Sequence, residues 1–244
     1  MLLMQGDCLE NMSNIPDKSV DMVLCDLPYG ITKCKWDSVI PFERLWTNWK
    51  RVCKQNAAIV LTASQPFTTD LIVSNRKWFK YNWVWNKVGR TTGFLNANKA
   101  PLRTTEDICV FYQNQCTYNP QKTHGKPYTA HTGTGIIQVY NKKDVIRITK
   151  NEDGLRYPKN LISFNVNREK HGHPTQKPVE LISYLIRTYT NEGETVLDNC
   201  MGSGTTGVSC VYEKRNFIGI ELEEKYFEIA KKRIEDASCL LSGQ

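Results

Sequence analysis

An α/β fold built on a mostly parallel sheet is predicted by three features of the sequence. Short β-like runs alternate with helix-length stretches over most of the chain, the pattern of strands joined by crossover helices. Runs such as "VDMVLC" and "AAIVLTAS" are almost continuously apolar, as strands covered on both faces must be. A glycine-rich turn, "CMGSGTTG", stands between a strand-like run and a helical one late in the chain, where such folds bind ligands.

Taken in order, "VDMVLCD" reads as a strand, "PFERLWTNWKRVCKQN" as a helix and "AAIVLTAS" as the next strand. "PFTTDLIVSNRKW" has helical spacing, and "KYNWVWNK" alternates with strand period, which sets Trp83 and Trp85 on one core-facing side. "EDICVFYQ" is a further strand. From 113 to 172 the rhythm is replaced by turn signals ("YNPQ", "HGKP", "TGTG", "NEDG") and one β-like run, "IIQVYNKKDVIRIT". The rhythm resumes at Pro178, which suits a first helical turn, with the helix "PVELISYLIRTYT". Strand "ETVLDNC", helix "SGTTGVSCVYEK", strand "NFIGIELE" and the amphipathic helix "EKYFEIAKKRIEDA" complete the chain. The boundaries expected are a first half at 1–112, an insertion at 113–172 and a second half of the same domain at 173–244.

With 244 residues, 40% hydrophobic and 23% charged, the chain suits one large domain carrying an insertion. No apolar stretch has the length of a membrane span, and "MLLMQGDCLE" has no signal-peptide character. A soluble, cytoplasmic protein is expected. The nine cysteines are scattered without a CxxC pair, which argues against a metal site or a disulfide framework. The net charge is +7, and between Gln113 and Gly172 ten Lys/Arg face four Asp/Glu. A basic surplus in a loop-rich segment points to a phosphate-backbone partner.

Two motifs carry chemistry. In "CDLPYG" (25–30) an apolar strand ends on Asp26 and presents Tyr29 around a proline. In "DNCMGSGTTG" (198–207), Gly202, Gly204 and Gly207 satisfy G-x-G-x-x-G, and Glu221 follows Gly202 by 19 residues at the end of the next strand. That context fits a dinucleotide fold, so a nicotinamide-dependent oxidoreductase is one reading. Asp198, just before the turn, would repel a pyrophosphate but attract an ammonium group. An adenosine cofactor with an amino-acid tail, S-adenosylmethionine, therefore fits better.

Together these segments resemble the β-class DNA amino-methyltransferases, which act on adenine N6 or cytosine N4. "CDLPYG" is similar to their D-P-P-Y signature, "LDNCMGSGTT" to their D-P-F-x-G-S-G-T-T loop, and "HPTQKP" (173–178) to the segment preceding that loop. "QGDCLE" resembles their short element at the cofactor adenine. The resemblance implies a Rossmann-like, S-adenosylmethionine-dependent fold with circularly permuted motif order. It implies a target-recognition insertion, double-stranded DNA as partner, and a bacterial or phage-encoded cytoplasmic enzyme. It admits a homodimer and leaves open any restriction partner.

The implied reaction moves a methyl group to an exocyclic amine whose lone pair is delocalised. The resemblance assigns Asp26 and the Leu27 carbonyl as acceptors of the two amine hydrogens, Pro28 as the stiffener of the turn, and Tyr29 as a stacking face for a flipped base. It places Asp7 and Cys8 at the cofactor adenine, with a bare helix N-cap as the lesser alternative for Asp7, and Glu221 at the ribose hydroxyls. Asp198, Cys200, Gly202, Ser203, Gly204, Thr205 and Thr206 fall beside the methionine portion, with Thr175 and Lys177 at its carboxylate. "GITKCKWD", with Gly30, Lys33, Lys35 and Trp36, suits a loop over the extruded base. Leu27, Asn199 and Cys200 depart from the usual Pro, Pro and Phe. The chain has no Pro-Cys, the hallmark of cytosine-C5 enzymes. The resemblance implies adenine, since Asp as first residue of the motif goes with the adenine members of that family, with N4-cytosine methylation and an inactive DNA-binding relative as alternatives.

Overall fold

The computed structural model describes residues 1–30, 38–132, 147–166 and 176–242. Its elements in chain order are β1 (Leu2–Gln5), α1 (Cys8–Asn11), β2 (Val20–Cys25), α2 (Phe42–Val52), β3 (Cys53–Ala63), α3 (Phe67–Ser74), β4 (Phe79–Val88) and β5 (Thr105–Phe111). There follow β6 (Thr123–His124), β7 (Tyr128–Thr132), β8 (Arg147–Asn151), β9 (Leu155–Arg156) and β10 (Leu161–Asn165). The last part holds α4 (Val179–Tyr189), β11 (Thr195–Asp198), α5 (Thr205–Tyr212), β12 (Asn216–Glu221) and α6 (Glu224–Ser242).

Eight strands form one sheet in the order β1-β12-β11-β2-β3-β5-β4-β10. All neighbours pair parallel except β5, which runs antiparallel to both β3 and β4. The continuous apolar runs have their reason in the two faces of this sheet. Met22 and Leu24 of β2 join Ala58, Val60, Ile108 and Val110 under α4, α5 and α6. Val23 and Cys25 join Ile59, Leu61, Cys109 and Phe111 under α1, α2 and α3. Trp83 and Trp85 are buried together on the first of these faces, and each such side chain removed from water contributes roughly 1.5–3 kcal/mol.

Boundaries differ from the sequence reading at several points, α3 among them, which stops at Ser74 rather than Trp78. The helical spacing of "KRVCKQN" does not carry α2 past Val52, because Cys53 is drawn into the ladder opposite Val20. The edge strand β1 had no recognisable period in four residues. Residues Pro120–Lys159 form a compact unit of their own, narrower than the 113–172 insertion. Asn119 stays with the larger unit, its backbone N–H donating to the Thr188 carbonyl at 2.7 Å, and β10 pairs with β4. Within the small unit β6 pairs with β9 and β7 with β8. The Arg156 guanidinium lies over the Tyr128 ring and donates to the Asn151 side chain at 2.6 Å. Most of the run "IIQVYNKKDVIRIT" lies outside the described residues.

Candidate active site

The strand order brings the chemistry to one edge of the sheet. The neighbours β1, β12, β11, β2 and β3 are all parallel, so their C-terminal ends present, in sequence across the edge, Asp7, Glu221, Asp198, Asp26 and Thr62. A cavity of about 670 Å³ opens there, at the carboxyl ends of the strands where open α/β sheets bind ligands. It is lined by Asp7, Cys8, Asp26, Leu27, Pro28, Tyr29, Lys177, Asp198, Cys200, Gly202, Ser203, Thr205, Thr206 and Glu221. Gly204 lies at the head of α5 rather than in the lining. Thr175 and His173 lie outside the described residues, as do Lys33, Lys35 and Trp36.

Asp26 is held from both sides. Its Oδ1 accepts hydrogen bonds from the Thr62 hydroxyl and, at 2.7 Å, from the Tyr29 hydroxyl. Its Oδ2 accepts from the Lys177 ammonium at 2.6 Å. Lys177, which the resemblance placed at the cofactor carboxylate, thus makes its ion pairs with Asp26 and, at 3.5 Å, with Glu106. Glu106 is paired in turn with Lys87. The result is a row of alternating charges, Asp26, Lys177, Glu106 and Lys87, at the edge of β2, β5 and β4. Burial pushes the Asp26 carboxyl upward, but the Lys177 charge and the hydrogen bonds from Lys177, Thr62 and Tyr29 outweigh it and hold it below its ordinary value. The carboxylate is therefore ionised and a weak base.

Tyr29 is fixed twice. Its hydroxyl serves Asp26, and its ring stacks on Phe67 with centroids 4.9 Å apart. Burial, then the Asp26 charge, raises its phenol well above the ordinary value, so it stays a donor.

The glycine turn is shaped by the same economy of space. Gly202 and Gly204 have φ of +52° and +79°, left-handed values that side chains rarely adopt. The Gly202 N–H donates to Glu221 Oε2 at 2.8 Å, which ties the turn to the end of β12. Gly207 needs no unusual φ, but a Cβ there would meet Ile234 and Phe217, so α5 packs against α6 and β12 at glycine distance. The Asn199 side chain accepts from Trp49 Nε1 at 3.1 Å, anchoring the turn to α2.

Asp198 accepts from the Thr206 hydroxyl at 2.6 Å and the Cys200 N–H at 3.1 Å. Burial nevertheless pushes its carboxyl up to about 6. Glu221 is likewise raised, burial outweighing its bonds from the Glu223 and Gly202 N–H groups. Two buried carboxylates with unspent lone pairs fit a ligand that carries an ammonium and a diol, and Asp198 gains most from the cation. Asp7 caps α1 through the Leu9 N–H at 2.8 Å and also lines the cavity. Ser203 Oγ donates to Gln176 at 3.2 Å.

No thiol here is poised as a nucleophile. Burial pushes Cys25 up to about 12, and hydrogen bonding with Cys25, then burial, holds Cys200 well above its ordinary value. Every cysteine among the described residues is a free thiol, and these residues hold no cluster suited to a metal ion. None of the described helices is long and apolar enough to cross a membrane. Thr62, Lys87 and Glu106 were missed from sequence. Their only signal was a charge or hydroxyl interrupting otherwise apolar strand ends.

Comparison with known proteins agrees with this geometry. The DNA adenine methyltransferase YhdJ of Escherichia coli (strain K12) is 28% identical over 97% of this chain and 83% of its own length. Among solved structures, the M1.HpyAVI–SAM complex superposes with a TM-score of 0.65 at 26% identity, covering 96% of this chain and 98% of that one. The cytosine-N4-specific PvuII DNA methyltransferase, at 16% identity, shares the fold with a TM-score of 0.65 over 99% of this chain and 93% of that one. The family described as DNA methylase matches residues 20–232, which sets the nicotinamide reading aside. With that match spanning both motifs and the strands between them, the chain belongs to the DNA methylase family.

Proposed function

We propose that the chain transfers a methyl group from S-adenosylmethionine to the N6 amine of an adenine extruded from double-stranded DNA. The observation that carries this reading is the ionised Asp26, locked by Lys177, Thr62 and Tyr29, in the same cavity as Asp198 and Glu221. When bound, the cofactor supplies an electrophilic methyl on a sulfonium; Asp198 would hold its ammonium, Glu221 its ribose hydroxyls, and Asp7 and Cys8 its adenine. Asp26 Oδ1 is saturated by two donors, whereas Oδ2 has a lone pair left beside Lys177 for one amine hydrogen. The Leu27 carbonyl takes the other. Two acceptors draw the nitrogen toward a tetrahedral, nucleophilic form and stabilise its growing positive charge. A carboxylate held below its ordinary value keeps that hydrogen bond without capturing the proton, which leaves to water.

Asp26 at the head of the motif, and 28% identity with an adenine enzyme, support adenine as the target. The same two acceptors would hold a cytosine amine, so N4 transfer is the competing outcome. The basic segment around 120–159 supports a role in contacting DNA phosphates. The test is transfer of labelled methyl to unmethylated DNA followed by nucleoside analysis. N6-methyladenine is expected; N4-methylcytosine would correct the base, and no labelled nucleoside would overturn the reading. Asp26→Ala should lower transfer by on the order of 10³-fold or more with cofactor affinity little changed.

A further inference from the structure

The connection from β4 to β5 leaves the sheet as a short hairpin whose foot belongs to the catalytic cavity. Arg90, Thr92, Gly93 and Arg103 line that cavity together with Asp26. Thr92 and Arg103 exchange backbone hydrogen bonds, both at 2.9 Å, so the two limbs are zipped together. Beyond them the tip is an ordered turn, Phe94–Asn96, started by Gly93 at φ +95°. It is closed by bonds from Asn96 N–H to the Gly93 carbonyl at 3.0 Å and from Lys99 N–H to the Asn96 carbonyl at 2.8 Å. This turn holds two apolar side chains out in water: Leu95 is 99% exposed and Phe94 65%. Single exposed leucines are common, but an adjacent pair on a hydrogen-bonded turn beside a ligand cleft is not. Between Gly89 and Thr105 the chain carries Arg90, Lys99 and Arg103 and no carboxylate. The apolar tip is thus framed by cations alone, the complement of a phosphate backbone.

We propose that Phe94 and Leu95 form a wedge that enters the base stack of duplex DNA and occupies the space vacated by the base drawn toward Asp26. The inference rests on the methyltransferase reading and adds to it the part that opens the base pair. Apolar side chains inserted between base steps are an established way of unstacking a duplex. Here the wedge and the receiving cavity share one hairpin, so opening and capture are mechanically linked.

The test uses the intact chain with Leu95→Ala and the double variant Phe94→Ala/Leu95→Ala. Duplexes carry the site found by sequencing DNA modified by the wild type. On fully paired duplex, kcat/KM of the double variant should fall on the order of 10²-fold, and it should return to within about threefold of wild type when the position opposite the target is abasic. Cofactor affinity and thermal unfolding should not change, since both side chains are solvent-exposed. Equal losses on paired and abasic duplexes, no loss on paired duplex, or a loss explained by altered self-association would each overturn the wedge. Permanganate reactivity of duplex thymines gives an independent readout, reactive with wild type and protected with the double variant. Were the wild type to leave DNA unmethylated, the methyltransferase reading would fall, and equal permanganate reactivity would reject the wedge separately.

Discussion

Replacing Lys177 with methionine removes the cation that, among the described residues, pairs with Asp26, while keeping the buried stem. At 2.6 Å from Asp26 and 3.5 Å from Glu106, the two attractions come to about 6 and about 5 kcal/mol at an effective dielectric of about 20. Most of this is offset by the desolvation of the three groups. Breaking a buried pair by deleting one partner typically costs about 3–5 kcal/mol. The lower end applies because the Asp26 side chain retains 31% exposure and Glu106 keeps Lys87. A loss of about 3 kcal/mol corresponds to a fall in Tm of roughly 6–12 °C for a chain of this size. The sign follows from Asp26, whose folded carboxyl lies below its ordinary value. That stabilisation is present above the unfolded pKa and is lost as pH falls through the folded one, so wild type and variant differ most at neutral pH and converge in acid. In the variant burial is opposed only by the Thr62 and Tyr29 hydrogen bonds, the carboxyl rises, and the acid limb of the rate profile moves to higher pH. Turnover at neutral pH should drop on the order of 10²-fold through misplacement of the amine acceptor. Methyl transfer across pH, with urea unfolding at two pH values, reads both effects, and Lys177→Arg should recover part of each. An acid limb and kcat left at wild-type values in Lys177→Met would refute Lys177 as the counter-ion that tunes Asp26.

Two further perturbations probe the cofactor side. Asp198, raised from 3.8 to about 6 by burial, opposes folding once ionised, so stability of the free protein should decline by about 3 kcal/mol as pH rises from 4 to above 6. Asp198→Asn should remove that decline in urea unfolding, and by titration calorimetry it should weaken cofactor affinity most at pH 7 and above. Gly207→Ala places a methyl against Ile234 and Phe217; forcing α5 away should lower the unfolding free energy by about 1–3 kcal/mol, read by denaturant titration, and loosen cofactor binding through the turn.

Much of the site was legible because its parts are local. "DLPYG" and "CMGSGTTG" are contiguous turns whose chemistry is written in neighbouring residues, and the parallel sheet followed from apolar runs separated by helices. What escaped was long-range. Lys177 reads locally as part of "HPTQKP", and its ion pair with Asp26, 151 residues away, depends on the order in which strands assemble. Thr62, Lys87 and Glu106 are single polar residues at strand ends, and only the reversal of β5 brings Glu106 to the edge where β2 ends. Likewise Cys53–Asn56 has helical spacing, but the ladder to β2 decides its conformation.

The pairing of β1 with β12 also bears on how the protein comes into being. Leu2–Gln5 leaves the ribosome more than two hundred residues before the strand it pairs with, which begins at Asn216. At bacterial-to-eukaryotic translation speeds that wait is roughly 10–40 s. Asp26 likewise emerges long before Lys177, Asp198 and Glu221. A nascent chain thus carries Asp26 without its counter-ion and without the Asp198 and Glu221 side of the cavity. The cavity wall is therefore completed only once β11 and β12 have been made and have joined the strands that preceded them.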